Sequence, residues 1–296
     1  MYVATFLCNP LEPILNDDII SKYFTILGGD ALVWLNSGIA ADVKIPAMPT
    51  EFKKVWKELQ TRNIDLVVQI ERDRRKKILI ADLDSTIIKQ ESLDELADEA
   101  DCGSQIREIT RMAMGGDLEF EESLRRRVKY LAGVPKDTIN KVIDQRICLA
   151  AGAKTLISTL KRYGVYTALV SGGFTHFSSK IASELGFDEY HANELILKNK
   201  KLTGAVKHPI LDETAKIRIM IALSKKFDLP LDRFIAVGDG ANDIGMLQLA
   251  GSGIAMHAKE IVQSKSKIII NHADLSGLLY LQGYHSADFI DYKSVI

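Results

Sequence analysis

Two aspartates, Asp82 and Asp84, follow a short apolar run, Ile78–Ala81. Extended residues two apart point to the same side of a strand. A second acidic pair, Asp239 and Asp243, follows the apolar run Phe234–Val237 within Gly238-Asp239-Gly240-Ala241-Asn242-Asp243. A third run, Val165–Val170, ends in Ser171-Gly172-Gly173. Ligands of open parallel sheets bind outside the carboxyl ends of the strands, so three neighbouring strands would gather these tips in one crevice. Four carboxylates there repel, and each raises the others' proton affinity unless a cation sits among them. An all-oxygen donor set favours a hard divalent ion, and Mg2+ binds through a few carboxylates while leaving room for a phosphate. The Ser171 hydroxyl, close backbone approach at Gly172 and Gly173, and the charge of Lys216 suit that phosphate. A carboxylate can attack phosphorus and become an aspartyl-phosphate, while a second one protonates the leaving oxygen and later takes a proton from water. Each motif alone has a bland reading: D-x-D-x-T as a turn or helix cap, S-G-G and G-D-G-x-N-D as turns, Lys216 as a surface lysine. Their conjunction, each after a buried run and in this order, carries the argument.

The elements that must hold these residues can be read from periodicity. Ile78–Ala81 has no polar alternation, as expected for a strand covered on both faces of a parallel sheet. From Gln90 to about Cys148 the pattern is helical, with stripes at Leu93, Leu96 and Ala97; at Ile106, Ile109 and Ala113; at Phe120, Leu124, Val128 and Leu131; and at Ile139, Val142, Ile143 and Ile147. Helix Ala153–Tyr163, strand Val165–Val170, helix Thr175–Leu185, a helix from about Asp243, and strands at Gly253–Met256 and Lys267–Ile270 complete an α/β reading. Before it lies a βαββαβ pattern: Val3–Cys8, Asn16–Leu27, Ala31–Leu35, Ile39–Ile45, Thr50–Arg62 and Ile64–Ile70, the order of a small ferredoxin-like layer. Between them, Glu71–Lys77 is charged throughout and reads as a solvated linker rather than a nucleic-acid patch. The expected organisation is a βαββαβ domain at 1–76, a Rossmann-like core at 77–89 and 149–296, and a helical insertion at 90–148.

Composition narrows the function classes. The 296 residues are 47% hydrophobic and 26% charged, ordinary for a folded chain. Lysine and arginine total 38 against 39 acids, a formal charge of -1 that gives no electrostatic reason to expect nucleic acid or an anionic membrane. The longest uncharged stretch, Gly164–Ser179, is too polar to span a bilayer, and Met1–Pro10 lacks the marks of a signal peptide. Cys8, Cys102 and Cys148 are far apart and odd in number, against a disulfide framework; each is expected to be a small buried apolar residue in a reducing, cytoplasmic setting.

The four motifs resemble those of the haloacid dehalogenase-like phosphatases: Asp82-Leu83-Asp84-Ser85-Thr86, Ser171-Gly172-Gly173-Phe174, Lys216, and Gly238-Asp239-Gly240-Ala241-Asn242-Asp243. The resemblance runs from about Lys77 to the C-terminus, and the helical insertion falls where the family carries one type of cap. The runs D-L-D-S-T-I-I-K-Q-E-S-L-D-E-L-A, F-E-E-S-L-R-R-R-V, V-S-G-G-F and V-G-D-G-A-N-D are similar to those of members acting on O-phospho-L-serine. That likeness implies Mg2+, with Asp82 as nucleophile, Asp84 as general acid/base and metal ligand through its carbonyl, and Asp239 as a further ligand. It implies that Asp243 holds water or Lys216 beside the metal, and that Ser171, Gly172 and Lys216 hold the phosphate. Glu91 and Arg127 would read the substrate's ammonium and carboxylate, Met114 and Phe120 would close the pocket, and Asn242 would touch substrate. Taken by themselves, Glu91 could be a helix N-terminal acid and Arg127 part of a solvated face. Residues 1–76 resemble small regulatory domains of the ACT type in pattern only. Their first loop, Asn9-Pro10-Leu11-Glu12-Pro13, has no glycine, which favours a dimerisation or cap-supporting role over effector binding.

Other readings stand beside this one. The same chemistry could serve phosphothreonine, phosphohomoserine or a sugar phosphate. A binding protein that senses amino acids through its first domain is opposed by the full acidic set. An ion pump working through an aspartyl-phosphate is opposed by the lack of a membrane span.

Overall fold

Two sheets organise the chain, which the computed structural model describes over residues 1–114 and 118–290, with Met114 described by its backbone only. The first sheet is built from β1 (Tyr2–Leu7), α1 (Asp17–Leu27), β2 (Ala31–Asn36), β3 (Ala40–Ile45), α2 (Phe52–Gln60) and β4 (Asp65–Ile70). Its strands run antiparallel in the order β2-β3-β1-β4. α1 starts where Asn16 Oδ1 accepts the Ile19 N–H at 2.9 Å, and it stops at Gly28, whose φ of 71° a Cβ would oppose. Ile20, Tyr23 and Leu27 of α1 and Val55 and Leu59 of α2 bury one face of the sheet. The other face is also covered: Leu7, Leu35, Ala40 and Val67 belong to the same apolar cluster as the core of the second sheet.

The charged segment Glu71–Lys77 is only in part the solvated linker its composition suggests: Arg72, Asp73, Arg75 and Lys77 are exposed, but Arg74 and Lys76 are drawn into the structure. Arg74 pairs with buried Asp42 at 2.7 Å, and Asp42 also accepts the Thr5 hydroxyl at 2.7 Å. Arg75 lies 4.1 Å from the Tyr284 ring centroid. Lys76 is 9% exposed, and its ammonium donates to the carbonyls of Asp232 (2.8 Å) and Asp73 (3.1 Å). Alternate residues here face different layers, so one run of like composition locks both sheets together. Burial pushes the Asp42 carboxyl up and the Lys76 ammonium down, with Arg74 opposing the first shift.

The second sheet begins at β5 (Ile78–Ala81). Four helices follow, α3 (Ser92–Glu99), α4 (Gly103–Met114), α5 (Phe120–Lys129) and α6 (Lys136–Gln145), and then α7 (Ala153–Arg162), β6 (Tyr166–Phe174), α8 (Thr175–Leu185) and β7 (Glu189–Asn193). A hairpin of β8 (Leu195–Lys198) and β9 (Lys201–Val206) precedes α9 (Glu213–Phe227), β10 (Phe234–Gly238), α10 (Ile244–Leu249), β11 (Ser252–Met256), α11 (Glu260–Gln263), β12 (Ile268–Ile270) and α12 (Gly277–Leu281). The strand order is β12-β11-β10-β5-β6-β7, parallel throughout. β5 therefore lies between β10 and β6, with Ala81 level with Val237 on one side and Leu169 on the other. The three motif-bearing strands are neighbours, as the site reading requires.

Most stripe positions are buried, among them Leu93, Leu96, Ala97, Ile106, Leu124, Val128, Ile139 and Val142, while Ala113, Phe120, Ile143 and Ile147 are half-buried. The hairpin was not read. It runs beside the α5–α6 turn, with Gly133 N–H donating to Leu202 O and Leu202 N–H to Val134 O, both at 2.8 Å. Cys8 and Cys102 are buried, but Cys148 is exposed, contrary to the apolar reading of all three. Among the described residues no helix is long and apolar enough to cross a membrane.

The two sheets are also fastened through Asp65. It is fully buried and accepts the backbone N–H groups of Asn271, His272 and Ala273, each at 2.9 Å. Removing the carboxylate orphans three buried donors. Asp65→Ala is expected to lower unfolding free energy by about 3–5 kcal/mol, read from urea denaturation. A loss under about 1 kcal/mol would show that water takes over those donors.

Candidate active site

The acidic mouth is assembled by three strand ends. Asp82 follows β5, its N–H bonded to Val237 O at 3.0 Å. The next residues turn sharply. Ser85 takes φ 54°, a left-handed conformation costing about 1–2 kcal/mol outside glycine. That turn brings Asp84 back toward β6. Asp84 Oδ1 accepts the Ser92 N–H at the start of α3 (2.7 Å), and its Oδ2 accepts the Ser171 hydroxyl (3.1 Å). The Ser171 oxygen in turn accepts the Gly173 N–H at 2.8 Å.

Lys216 enters from the first turn of α9, where Asp212 caps the helix by accepting the Ala215 N–H at 2.8 Å. The lysine is 1% exposed. Its ammonium donates to Asp82 and to Asp243 Oδ1, the latter at 2.6 Å. Asp243 Oδ2 accepts the Gly240 N–H at 3.0 Å, and Thr86 donates to Asp239 Oδ1 at 3.1 Å. Carboxylate oxygens of Asp82, Asp239 and Asp243 lie within 4.8 Å of one another.

One ammonium does not balance this cluster. Burial, Asp243 and Asp84 push the Asp82 carboxyl well up, against the pull of Lys216. Asp239 is pushed to about 6 by burial, Asp243 and Glu91. Asp84 also reaches about 6, through burial and Glu91, while the bonds from Ser92 and Ser171 resist. Burial alone would lower the Lys216 ammonium, but Asp243 and Asp82 hold it above its usual range. Near neutrality, Asp84 can therefore both give and take a proton.

Close approach explains the glycines. A Cβ on Gly173 would fall 2.8 Å from Asp84 Oδ2, and one on Gly238 would fall 2.4 Å from Asp243 Cγ. One on Gly172 would lie 3.3 Å from Phe120 Cζ, so Phe120, at the start of α5, covers that end of β6. Asn242 is half-buried beside Gly240.

The remaining residues of the sequence reading sit in the helical segment. Glu91 is exposed at the start of α3 without capping it, and accepts the Ser85 hydroxyl at 2.8 Å. The three arginines of α5 separate. Arg125 and Arg126 are exposed and pair with Glu121 and Glu122, whereas Arg127 is half-buried. Burial lowers the Arg127 proton affinity, and Asp94 and Glu91 hold its charge. The Met114 side chain lies outside the described residues.

Sequence reasoning missed Asn193, which is 2% exposed at the end of β7. Its amide donates to Gly172 O (2.9 Å) and Leu211 O (3.2 Å) and accepts the Leu211 N–H (2.7 Å). It ties the Ser171–Gly173 end of β6 to the segment leading into α9 and Lys216. No local pattern marks it, because its partners are 18 and 21 residues away. Ser92, the donor to Asp84, was also missed, though its place at a helix start could have drawn attention.

The model of the haloacid dehalogenase-like hydrolases matches residues 79–248. The chain belongs to that family. A phosphoserine phosphatase of Methanocaldococcus jannaschii is 42% identical over 207 residues, covering 70% of this chain and 98% of that one. A phosphoserine phosphatase of Archaeoglobus fulgidus is 38% identical over 228 residues, 76% of this chain, which spans just under two thirds (66%) of that relative's length. A HAD-family hydrolase of Salmonella enterica serovar Typhi superposes with a TM-score of 0.84 at 30% identity, over 95% of this chain and 98% of that one.

Asn193→Ala should free the Gly172 carbonyl and the α9 approach together. A displacement of about 1 Å at a reacting group can cost about 100-fold. The expected outcome is a 10- to 100-fold loss of kcat with Lys216 and the carboxylates intact. Steady-state kinetics below the unfolding midpoint check it, and an unchanged kcat would make Asn193 a packing residue only.

Proposed function

We propose that this chain is a magnesium-dependent phosphatase that cleaves O-phospho-L-serine to L-serine and phosphate through an aspartyl-phosphate on Asp82. The observation that carries the proposal is the convergence of Asp82, Asp84, Asp239, Asp243, Ser171 and Lys216 at three adjacent strand ends. The phosphoserine phosphatase names of the two relatives support the substrate.

The mouth fits a divalent cation, since its donors are all oxygen and its carboxyls are held above their usual range by burial and mutual repulsion. Asp82, Asp239 and the Asp84 carbonyl would hold Mg2+, with Asp243 beside them. When bound, the ion offsets the negative charge of phosphate and carboxylates.

The chain's own groups then divide the work. Asp82 attacks phosphorus. Lys216, already paired with Asp82 and Asp243, neutralises charge on the phosphoryl oxygens. Ser171 and the backbone at Gly172 hold the phosphoryl group in line. Asp84, poised near 6, gives its proton to the departing serine oxygen and later takes one from the water that hydrolyses the aspartyl-phosphate. Half-buried Arg127 grips the substrate carboxylate, where partial desolvation strengthens the pairing, and Glu91 takes the ammonium. Phe120 and Met114 close the pocket over it, and Asn242 touches the bound substrate.

The same reading takes residues 77–89 and 149–296 as the catalytic core and 90–148 as its cap. Residues 1–76 are an ACT-like domain through which two copies pair. Three cysteines free of disulfides suit a cytoplasmic setting.

Asp82→Asn is expected to bind substrate while turnover falls by about 10³-fold or more, read by phosphate release. Near-normal turnover would remove Asp82 as nucleophile. Chelation should abolish phosphate release and added Mg2+ should restore it. Release that persists in EDTA would refute the metal assignment. Arg127→Ala should raise KM for O-phospho-L-serine at least tenfold, about 1.4 kcal/mol of binding, yet barely change KM for an aryl phosphate. Equal shifts on both substrates would take Arg127 out of carboxylate recognition.

A further inference from the structure

A cavity of about 300 Å³ opens far along the second sheet from the acidic mouth, where the two sheets meet. β4 and β12 are the end strands of their sheets, and they are not hydrogen-bonded to each other. Asp65 fastens them at one end through Asn271–Ala273, and Asn271 also donates to Gln60 Oε1 at 2.7 Å. Further along, Leu66–Val68 and Ser266–Ile269 line a gap instead of pairing. Its interior is apolar, with Leu66 and Ile268 buried and Phe52 and Trp56 of α2 forming a wall.

The polar lining is of one sign. Lys53 and Lys57, one turn apart on α2, and Lys267, ahead of β12, are exposed at the cavity. Among the described residues none of the three forms an ion pair, although Lys54, their neighbour on α2, pairs with Glu51 at 3.5 Å. Three uncompensated ammonium groups around one hollow repel each other, and an anion placed among them relieves that repulsion. The apolar wall and floor favour a body that buries rings or alkyl groups. The volume lies at the lower end for small-molecule sites and excludes a dinucleotide or a macromolecule.

We propose that this cavity binds a small amphipathic organic anion, its flat apolar body against Phe52 and Trp56 and its acidic group among Lys53, Lys57 and Lys267. The occupant would touch both sheets at once, so it would also stabilise their docking.

The probe is 1-anilinonaphthalene-8-sulfonate, an anion of this shape, titrated into the full chain carrying Trp34→Phe. That substitution leaves Trp56 as the only tryptophan of the two. Energy transfer from Trp56 should saturate at one dye per chain. N-phenyl-1-naphthylamine, which keeps the rings and lacks the sulfonate, should bind at least tenfold more weakly. Lys53→Glu with Lys57→Glu should weaken the sulfonate at least tenfold at an unchanged unfolding midpoint. Val68→Phe, which fills the hollow and leaves the charges, should remove both dyes. Equal affinity for the two dyes, or sulfonate binding untouched by the charge reversals or by Val68→Phe, would overturn the proposal.

Discussion

A buried ammonium held between carboxylates is the interaction on which the mouth depends. Lys216 is nearly inaccessible to water, and without Asp82 and Asp243 its charge could not stay there. A buried ion pair is weak evidence of stability, because desolvation consumes most of the Coulombic gain. Its persistence is better explained by work at the site. The lysine compensates part of an acidic cluster and leaves the rest hungry for positive charge, as the raised proton affinities of Asp82 and Asp239 show. The strand order that supplies this arrangement places β5 between β10 and β6. Parallel strands put all three carboxyl ends on one edge, and no side chain has to cross the sheet.

Position within that edge is set by sterics more than by backbone freedom. Gly173 and Gly238 have no positive φ to explain them; what they lack is room for a Cβ beside Asp84 and Asp243. Asn193 adds the long-range half of the same constraint. It holds the Gly172 carbonyl and both backbone groups of Leu211, so the end of β6 and the approach to Lys216 share one anchor. The Asp84 carboxylate is similarly shared, between Ser92 at the start of the helical segment and Ser171 at the end of β6.

What could be read from sequence follows from this physics. Buried parallel strands are short, apolar and unalternating, so Ile78–Ala81 and Phe234–Val237 were legible, and the acids at their tips with them. The helical stripes of α3 to α6 were legible through their 3.6-residue period. The β8–β9 hairpin was not, because the apolar part of Leu195–Lys198 is only three residues long and Lys201–Val206 is broken by Thr203 and Gly204. Asn193 and Asp65 were invisible because their partners lie far along the chain, and a lone asparagine or aspartate carries no period. Arg127 shows the limit within a motif. R-R-R reads as a solvated face, yet helical rotation turns two arginines outward to glutamates four residues back and the third inward. The charged run Glu71–Lys77 failed in part for the same reason, since composition does not reveal that Arg74 and Lys76 meet partners in different layers.

A run of hydrogen bonds leads from the lock between the sheets to the mouth. Asp65 holds the Asn271 N–H, Ile270 O accepts the His257 N–H at 2.8 Å, and the Lys259 N–H reaches Asp239 O at 3.3 Å. Spatial continuity alone is no evidence of signalling. A switch needs two arrangements of comparable energy. Asp65 is fully buried with three donors satisfied, the sheet beside it is parallel and covered, and Lys76 is fixed on both sides. Opening any of these contacts would strand buried polar groups. The first layer thus meets the edge strand of the second sheet through its own end strand, joined at Asp65 and left unpaired further along between β4 and β12.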